Sequence, residues 1–544
     1  MKKTLCVLLV FCLCVGILSG CNLKLPTIVI PQNTEPQITA PEITYNKHLV
    51  YTMTDADMEK FSADLLALEQ LYMQDAPIEE IEEAETALEE LTAFIEDQCS
   101  IANVIYCYDI TDKTASDRYL KSEEICNRVA DEFMLCARRI YESDAPNRDY
   151  FFIDWTEAEL KRLMHYTSRV AELEQRNAEL VVAFRDLEDP STSEETVTIY
   201  RQFVLNNNEI ASIYGYDNYY DYAYAVGYDR DYAPQMVDTM ALYARKYLLP
   251  ACVNALNTFQ RVYENLSYVQ QLKMSNLIFQ NYAAGSVNYV EEYMRTLPET
   301  AQNAMNRMFT EERVVFTDNP NSLEAAFTTL VGMEPFCFFG PDYQGAGTLI
   351  HELGHFYGAV EGNFYAMPLD LAETQSQGNE WLFTAFLKEH VSEEVYECYV
   401  DYMLYEAIAG TLVQLAVDGF EKAVYSHPDV ENMTAEDFEA IMVQVAETYG
   451  GIDFFAENIT DLQSYWKMVV VESPVYYISY AVSGMAALNI YTIAVEDMER
   501  ATDIYCSLVE MDDYEDGFLA IISEAGLPGP FRKDVYLDIY RMFA

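Results

Sequence analysis

His351-Glu352-Leu353-Gly354-His355 is the stretch whose residue types and spacing could do chemistry unaided. On a helix, positions i and i+4 share a face, so His351 and His355 can present two imidazoles to one metal ion. Neutral imidazole suits zinc, one ion per chain, and Glu352 beside the first ligand can take a proton from a water polarised by that ion. A catalytic zinc keeps three protein ligands and leaves one position open, whereas a structural zinc is closed.

The remaining histidines, His48, His165, His390 and His427, stand at no close spacing to this pair. A carboxylate is therefore expected as the third ligand, and two compete. Glu361 gives His-Glu-x-x-His-x-x-Gly-x-x-Glu, with Gly358 where a metzincin has its turn glycine, but a metzincin has histidine at the last position. Glu373 lies in a second helix-like segment, Leu369-Asp370-Leu371-Ala372-Glu373-Thr374-Gln375-Ser376-Gln377. A histidine pair on one helix and a glutamate from the next is the His₂Glu arrangement. Helical surroundings on both sides favour Glu373, and Gln377, one turn on, is expected to support it.

The elements that must position these groups read as helix after helix. Asp55 to Gln98 has the pattern of a helical hairpin broken at Asp75-Ala76-Pro77, with Pro77 where a first helical turn accepts it. Leu65, Leu68 and Leu71, then Ile81, Leu88, Leu91 and Ile95, recur at helical spacing among many glutamates. Lys121–Tyr141 and Glu157–Leu187 continue the pattern. Alternating apolar runs are short and few, and neither a fixed repeat nor a glycine-rich phosphate loop is visible. Asp189-Pro190-Ser191-Thr192 is the best internal boundary.

The chain begins with Met1-Lys2-Lys3, an apolar run from Leu5 to Leu18, and Leu18-Ser19-Gly20-Cys21. This is a signal-peptide layout whose small residues precede a cysteine. It resembles a bacterial lipoprotein signal, which implies cleavage before Cys21 and acylation of its thiol. Pro26, Pro31, Pro36 and Pro41 follow at five-residue intervals, which prevents helix and favours an extended tether. The expected division is a signal at 1–20, a lipid-anchored tether at 21–50, an N-terminal helical region at 51–190 and a catalytic region at 191–544. Ser473–Val495 carries no charge and is long enough to span a bilayer, but its proline, serines and tyrosines suit a buried core helix.

Among 544 residues, Lys+Arg number 33 and Asp+Glu 89, a formal net charge of −56. That field excludes nucleic acid as a partner, since phosphate binding needs a basic surface. It also argues against adhesion to anionic lipid through the folded surface. A 51% hydrophobic content excludes a chain disordered throughout. Cysteines 99, 107, 126, 136, 252, 337, 398 and 506 are scattered with no CxxC, so mostly reduced, buried thiols are expected. Cys126 and Cys136, on one helical pattern, stand roughly 15 Å apart, too far to bridge.

From about Gln202 to Ile539 the sequence resembles the thimet oligopeptidase and oligoendopeptidase F family of zinc peptidases, closer to the second branch. The likeness rests on Leu205-Asn206-Asn207-Asn208-Glu209-Ile210-Ala211, Gly215-Tyr216-Asp217-Asn218-Tyr219, the His351–His355 motif, Ala372–Gln377 and Pro474–Gly484. It implies a mostly all-α, multi-helix body with a deep substrate channel, a zincin-like helix at its floor, and oligopeptides as substrates. Glu373 falls on the family's third-ligand glutamate. Tyr476, Tyr477 and Tyr480 fall on a tyrosine-rich segment whose phenols help hold the substrate and the developing oxyanion. A phenol stays protonated at neutral pH and can donate to that oxygen.

One departure stands out. The family carries a histidine shortly before these tyrosines, but no histidine follows His427 here, and the comparable stretch reads Trp466-Lys467-Met468-Val469-Val470-Val471-Glu472. Losing one oxyanion donor can cost about 10²–10³ in rate. The expected protein is an extracytoplasmic zinc metalloendopeptidase, held by lipid on Cys21 to the outer face of the bacterial cytoplasmic membrane. The competing expectation is a catalytically weakened relative that serves as a peptide-binding lipoprotein.

Overall fold

Thr54 opens the first helix, its backbone N–H bonded to Asp57 Oδ2 at 2.7 Å, a reciprocal cap that satisfies an otherwise orphaned donor. In the computed structural model, residues 46–185, 187, 194–279, 288–341, 343–362, 367–449, 470–471, 473–511 and 513–543 are described. The signal segment, Cys21, the tether up to residue 45, the Asp189–Thr192 boundary and most of Trp466–Glu472 lie outside the described residues.

Helices α1 (Asp55–Met73), α2 (Ile78–Tyr108) and α3 (Lys113–Glu142) form the front of the chain. They bury Phe61, Leu65, Leu68, Ile81, Leu88 and Ile95 with Val129 and Phe133. The expected hairpin break at Pro77 is present. The Glu157–Leu187 segment is not one helix but two, α4 (Glu157–His165) and α5 (Ser168–Arg185). Arg138 Nη1 donates to the Tyr166 carbonyl at 2.8 Å, taking the place of a helical hydrogen bond where neither Pro nor Gly marks a stop. The expectation of mostly reduced, buried thiols holds with one exception: Cys99 on α2 and Cys126 on α3 form a disulfide. Cys107, Cys136, Cys252, Cys337, Cys398 and Cys506 are free and buried.

The main helices that follow are α6 (Glu194–Ile213), α7 (Pro234–Tyr243), α8 (Leu249–Asn265), α9 (Tyr268–Phe279), α10 (Asn288–Met294) and α11 (Glu299–Thr310), with a short helical turn at Tyr219–Tyr222 running into a π-helical one at Ala223–Gly227. A small sheet of β1 (Val314–Phe316), β2 (Ala326–Val331) and β3 (Glu334–Phe339) comes next, in the order β1-β3-β2. Strand β3 is parallel to β1 and antiparallel to β2, with Thr328 opposite Cys337. Its two faces do different jobs. Phe327, Val331, Phe336 and Phe338 pack on Ile101, Val104 and Ile105 of α2, while Ala326, Cys337 and Phe339 face the main core.

Among the described residues the remaining α-helices are α12 (Ala346–Glu361), α13 (Leu369–Phe386), α14 (Glu393–Tyr425), α15 (Ala435–Thr448), α16 (Ile478–Glu496), α17 (Met498–Val509), α18 (Phe518–Glu524) and α19 (Lys533–Phe543). Helix α13 packs between α12 and α16. Between α12 and α13 the approach is close enough to demand glycine: a Cβ on Gly354 would lie 2.7 Å from Ser376 Cα. By length and composition alone, α14 and α16 could cross a membrane, but 83% of the most apolar window of α16 is buried inside the protein. The uncharged late segment is thus a core helix.

Candidate metal centre

Helix α12 carries His351 and His355 one turn apart, their ring centroids 4.9 Å from each other. Helix α13 crosses it so that Glu373 Oε2 lies 3.8 Å from both His351 Nε2 and His355 Nε2. One ligand atom from each of the three residues falls within 4.8 Å of the other two. The close approach that places Glu373 there is the glycine contact at Gly354, reinforced by Asn379 Nδ2 donating to the Ile350 carbonyl at 2.7 Å.

The alternative ligand is placed elsewhere. Glu361 is exposed at the end of α12 and is not part of the group. Gly358 makes no turn, because α12 runs through it; a Cβ there would meet Gln375 Oε1 at 2.2 Å. Gln377 does not support Glu373 either, as its Nε2 donates to Ser483 Oγ on α16 at 3.1 Å. The hydroxyl beside Glu373 is Ser376, whose Oγ is 3.3 Å from Oε2. The Tyr480 phenol of α16 also reaches Glu373. Tyr476, Tyr477 and Tyr480 are buried and meet edge-on or tilted, with centroids 5.5–5.7 Å apart.

One residue escaped the sequence reading. Glu380 Oε1 accepts a hydrogen bond from His351 Nδ1 at 2.7 Å, which fixes the ring and leaves Nε2 to face Glu373 and His355. The signal was present in the spacing, since Glu373 and Glu380 stand seven apart and share a helix face. Carboxylates that orient a ligating imidazole are worth about 10–100-fold in metal affinity. Glu380→Ala is accordingly expected to weaken zinc binding by about that factor in a chelator competition, with the fold unchanged by circular dichroism. Unaltered affinity would make Glu380 an incidental neighbour.

The donor set fits a cation. His355 Nε2 and Glu373 Oε1 are buried with no hydrogen-bond partner, a situation that costs about 1–3 kcal/mol per group unless something else satisfies it. Burial pushes the carboxyls of Glu352 and Glu373 up to about 7. Burial also opposes charge on His351, but the hydrogen bond to Glu380 and the charges of Glu380, Glu352 and Glu373 outweigh it and raise the imidazole to about 9. Burial, with His351 alongside, holds His355 well below its ordinary value. Three carboxylates around two imidazoles make a pocket short of positive charge, and a divalent ion would supply it.

Glu352, in the same buried cluster, is held from the sheet, where Thr328 Oγ1 donates to its Oε2 at 2.7 Å. It is 1% exposed. The side chains of His351 and Glu380 keep 14% and 22% of their surface in contact with solvent, so the site is reached from the His351 side.

No protein-family model and no curated protein matches the chain. Solved structures do. A PZ peptidase A structure with an inhibitor superposes at a TM-score of 0.71 with 18% identity, covering 91% of this chain and 99% of the other. A Bacillus anthracis protein assigned to oligoendopeptidase F gives 0.69 at 17% identity, over 91% and 96% of the two chains. Oligoendopeptidase F from Enterococcus faecium gives 0.59 at 13% identity, over 90% and 96%. The chain shares their fold. That fold is mostly helical and covers nine-tenths of the chain.

Proposed function

We propose that this protein is a zinc metallopeptidase that hydrolyses oligopeptides. The observation that carries the reading is the convergence of His351, His355 and Glu373 around two unbonded buried ligand atoms. The fold shared with PZ peptidase A and the oligoendopeptidase F structures supports it. The substrates on this reading are oligopeptides, with the site opening to solvent beside His351 and Glu380.

Zinc, when bound by His351, His355 and Glu373, would supply Lewis-acid polarisation of the scissile carbonyl and lower the pKa of the attacking water. Glu352, its Oε2 held by Thr328, is the group that would take a proton from the attacking water and deliver it to the leaving amine. Thr328 fixes the carboxylate plane. Glu380 keeps His351 in one tautomer. Tyr480 donates to the oxygen that gains charge, at a site where its phenol already stands against Glu373.

The chain is further proposed to be anchored through lipid on Cys21 and to work outside the cytoplasm. The Cys99–Cys126 disulfide supports this, since such bonds persist in oxidising compartments. A pure peptide-binding role is not favoured, because binding alone has no use for a buried carboxylate at Glu352.

One purification tests the whole reading. Detergent-extracted full-length protein is expected to carry about one zinc per chain and to cleave a mixed pool of short peptides but not folded proteins. Absence of metal and of cleavage sinks the peptidase; recovery of unacylated protein in the soluble fraction sinks the anchor.

The phenol has its own test. Tyr480→Phe is expected to lower kcat and kcat/KM together by about 10–10³-fold with zinc content unchanged, as for an interaction made in the transition state. Tyr491→Phe, whose hydroxyl pairs with that of Tyr396 at 3.2 Å, should be near neutral. Equal kinetics for wild type and Tyr480→Phe would reduce Tyr480 to packing.

A further inference from the structure

Val475 has a φ of 60°, a conformation that costs an L-residue about 1–2 kcal/mol and a β-branched one more. It is 1% exposed and stands just ahead of Tyr476, Tyr477 and Tyr480. The peptide groups around it are held by side chains from other parts of the fold. Glu421 Oε1 of α14 accepts from Val475 N–H at 2.7 Å. Arg230 Nη2 donates to the Val475 carbonyl at 2.8 Å, to the Tyr476 carbonyl at 3.4 Å and to Ser479 Oγ at 3.1 Å. The Tyr228 hydroxyl donates to the Pro474 carbonyl at 2.8 Å.

These holders are themselves anchored. The Arg230 guanidinium lies 4.6 Å from the ring centre of Tyr224 and 4.4 Å from that of Tyr228. The Tyr224 and Tyr220 hydroxyls both donate to Asp418, three residues before Glu421 on α14. Toward the metal centre, Ser479 and Tyr232 bond to Asp370, which precedes Glu373 by three residues on α13.

A glycine would adopt this turn without strain. A buried valine whose N–H and carbonyl are both held from outside, with three more such bonds to its neighbours, is over-determined, and such strain concentrates where geometry serves a function. We infer that Arg230 and Glu421 are positioning residues, which clamp the 474–476 turn so that the Tyr480 phenol is set against Glu373 before a substrate arrives. The inference rests on the peptidase reading for its consequence in turnover, but the clamp itself is measurable without it.

The test compares wild type, Glu421→Met, Glu421→Gln and Arg230→Met in the full-length protein. Amide exchange over residues 473–480, zinc content, kcat and KM are measured for each. Glu421→Met removes the acceptor for Val475 N–H, whereas Glu421→Gln keeps a carbonyl oxygen there. Exchange is expected to quicken in Glu421→Met and Arg230→Met and to stay near wild type in Glu421→Gln. In the same two variants kcat should fall about 10–10²-fold, as expected when a catalytic group is displaced by an ångström or less, with zinc content and KM little changed. Quicker exchange with unchanged kcat would overturn the positioning role, and unchanged exchange would overturn the clamp. If Arg230→Met fails to fold, the Glu421 pair decides. If wild type cleaves nothing, the peptidase reading falls, while unchanged exchange in Glu421→Met would still overturn the clamp.

Discussion

Glu352→Gln is expected to keep its zinc and lose hydrolysis by about 10²–10⁴-fold, the range for removing a general base. Glutamine has the same shape, and its amide oxygen can still accept from Thr328, whose hydroxyl is 2.7 Å from Oε2. The substitution therefore removes the ability to take a proton and little else. Zinc per chain and kcat/KM on a quenched fluorescent oligopeptide are the two readouts. Full activity in this variant would show that the proton goes elsewhere and that the proposed mechanism is wrong.

Glu373→Ala is expected to lower zinc affinity by more than about 10²-fold, beyond the effect of losing a supporting residue, and to abolish turnover with it. Glu373 is fully buried, with Oε1 unbonded and Oε2 beside Ser376 Oγ, so each variant's metal-free melting temperature serves as its own baseline. The discriminating readout is the zinc-dependent rise in melting temperature, since a ligand stabilises only the state that binds it. Wild type should show that rise and Glu373→Ala should not. Glu361→Ala, at an exposed position, should behave as wild type in both respects. The reverse pattern would return the third ligand to α12 and undo the site as drawn.

The parts legible in the sequence are those whose geometry is set within one helix. His351, Glu352 and His355 sit within a turn of each other, so spacing alone states their relation. Glu373 needed a second helix to cross at the right point, and Gly354 is the residue that permits the crossing, though its role shows only when Ser376 is seen 2.7 Å from where a Cβ would be. Glu380 had a readable i+7 spacing that gave no reason to look. The sheet was hidden because β2 is buried at every position, so no polar alternation marks it. The Cys99–Cys126 pair joins two helices across a separation of 27 residues, and helical pattern alone does not say which helices lie side by side. The tyrosine turn was noticed for its phenols, whereas Arg230 and Glu421, which hold it, are some 245 and 54 residues away.

The two-faced sheet also bears on how this protein can be cut. One face hands Thr328 to the proposed base, and the other is covered by α2 through Phe327, Val331, Phe336 and Phe338. A chain beginning after α5 would expose those four side chains, at about 1.5–3 kcal/mol each. The loss is of the same order as the whole stability of an ordinary domain, roughly 5–15 kcal/mol. The metal-bearing half is therefore expected to fail as a module expressed by itself. The front helices are the lid of its core, and recombination that separates them from the sheet should yield an insoluble product instead of a smaller enzyme.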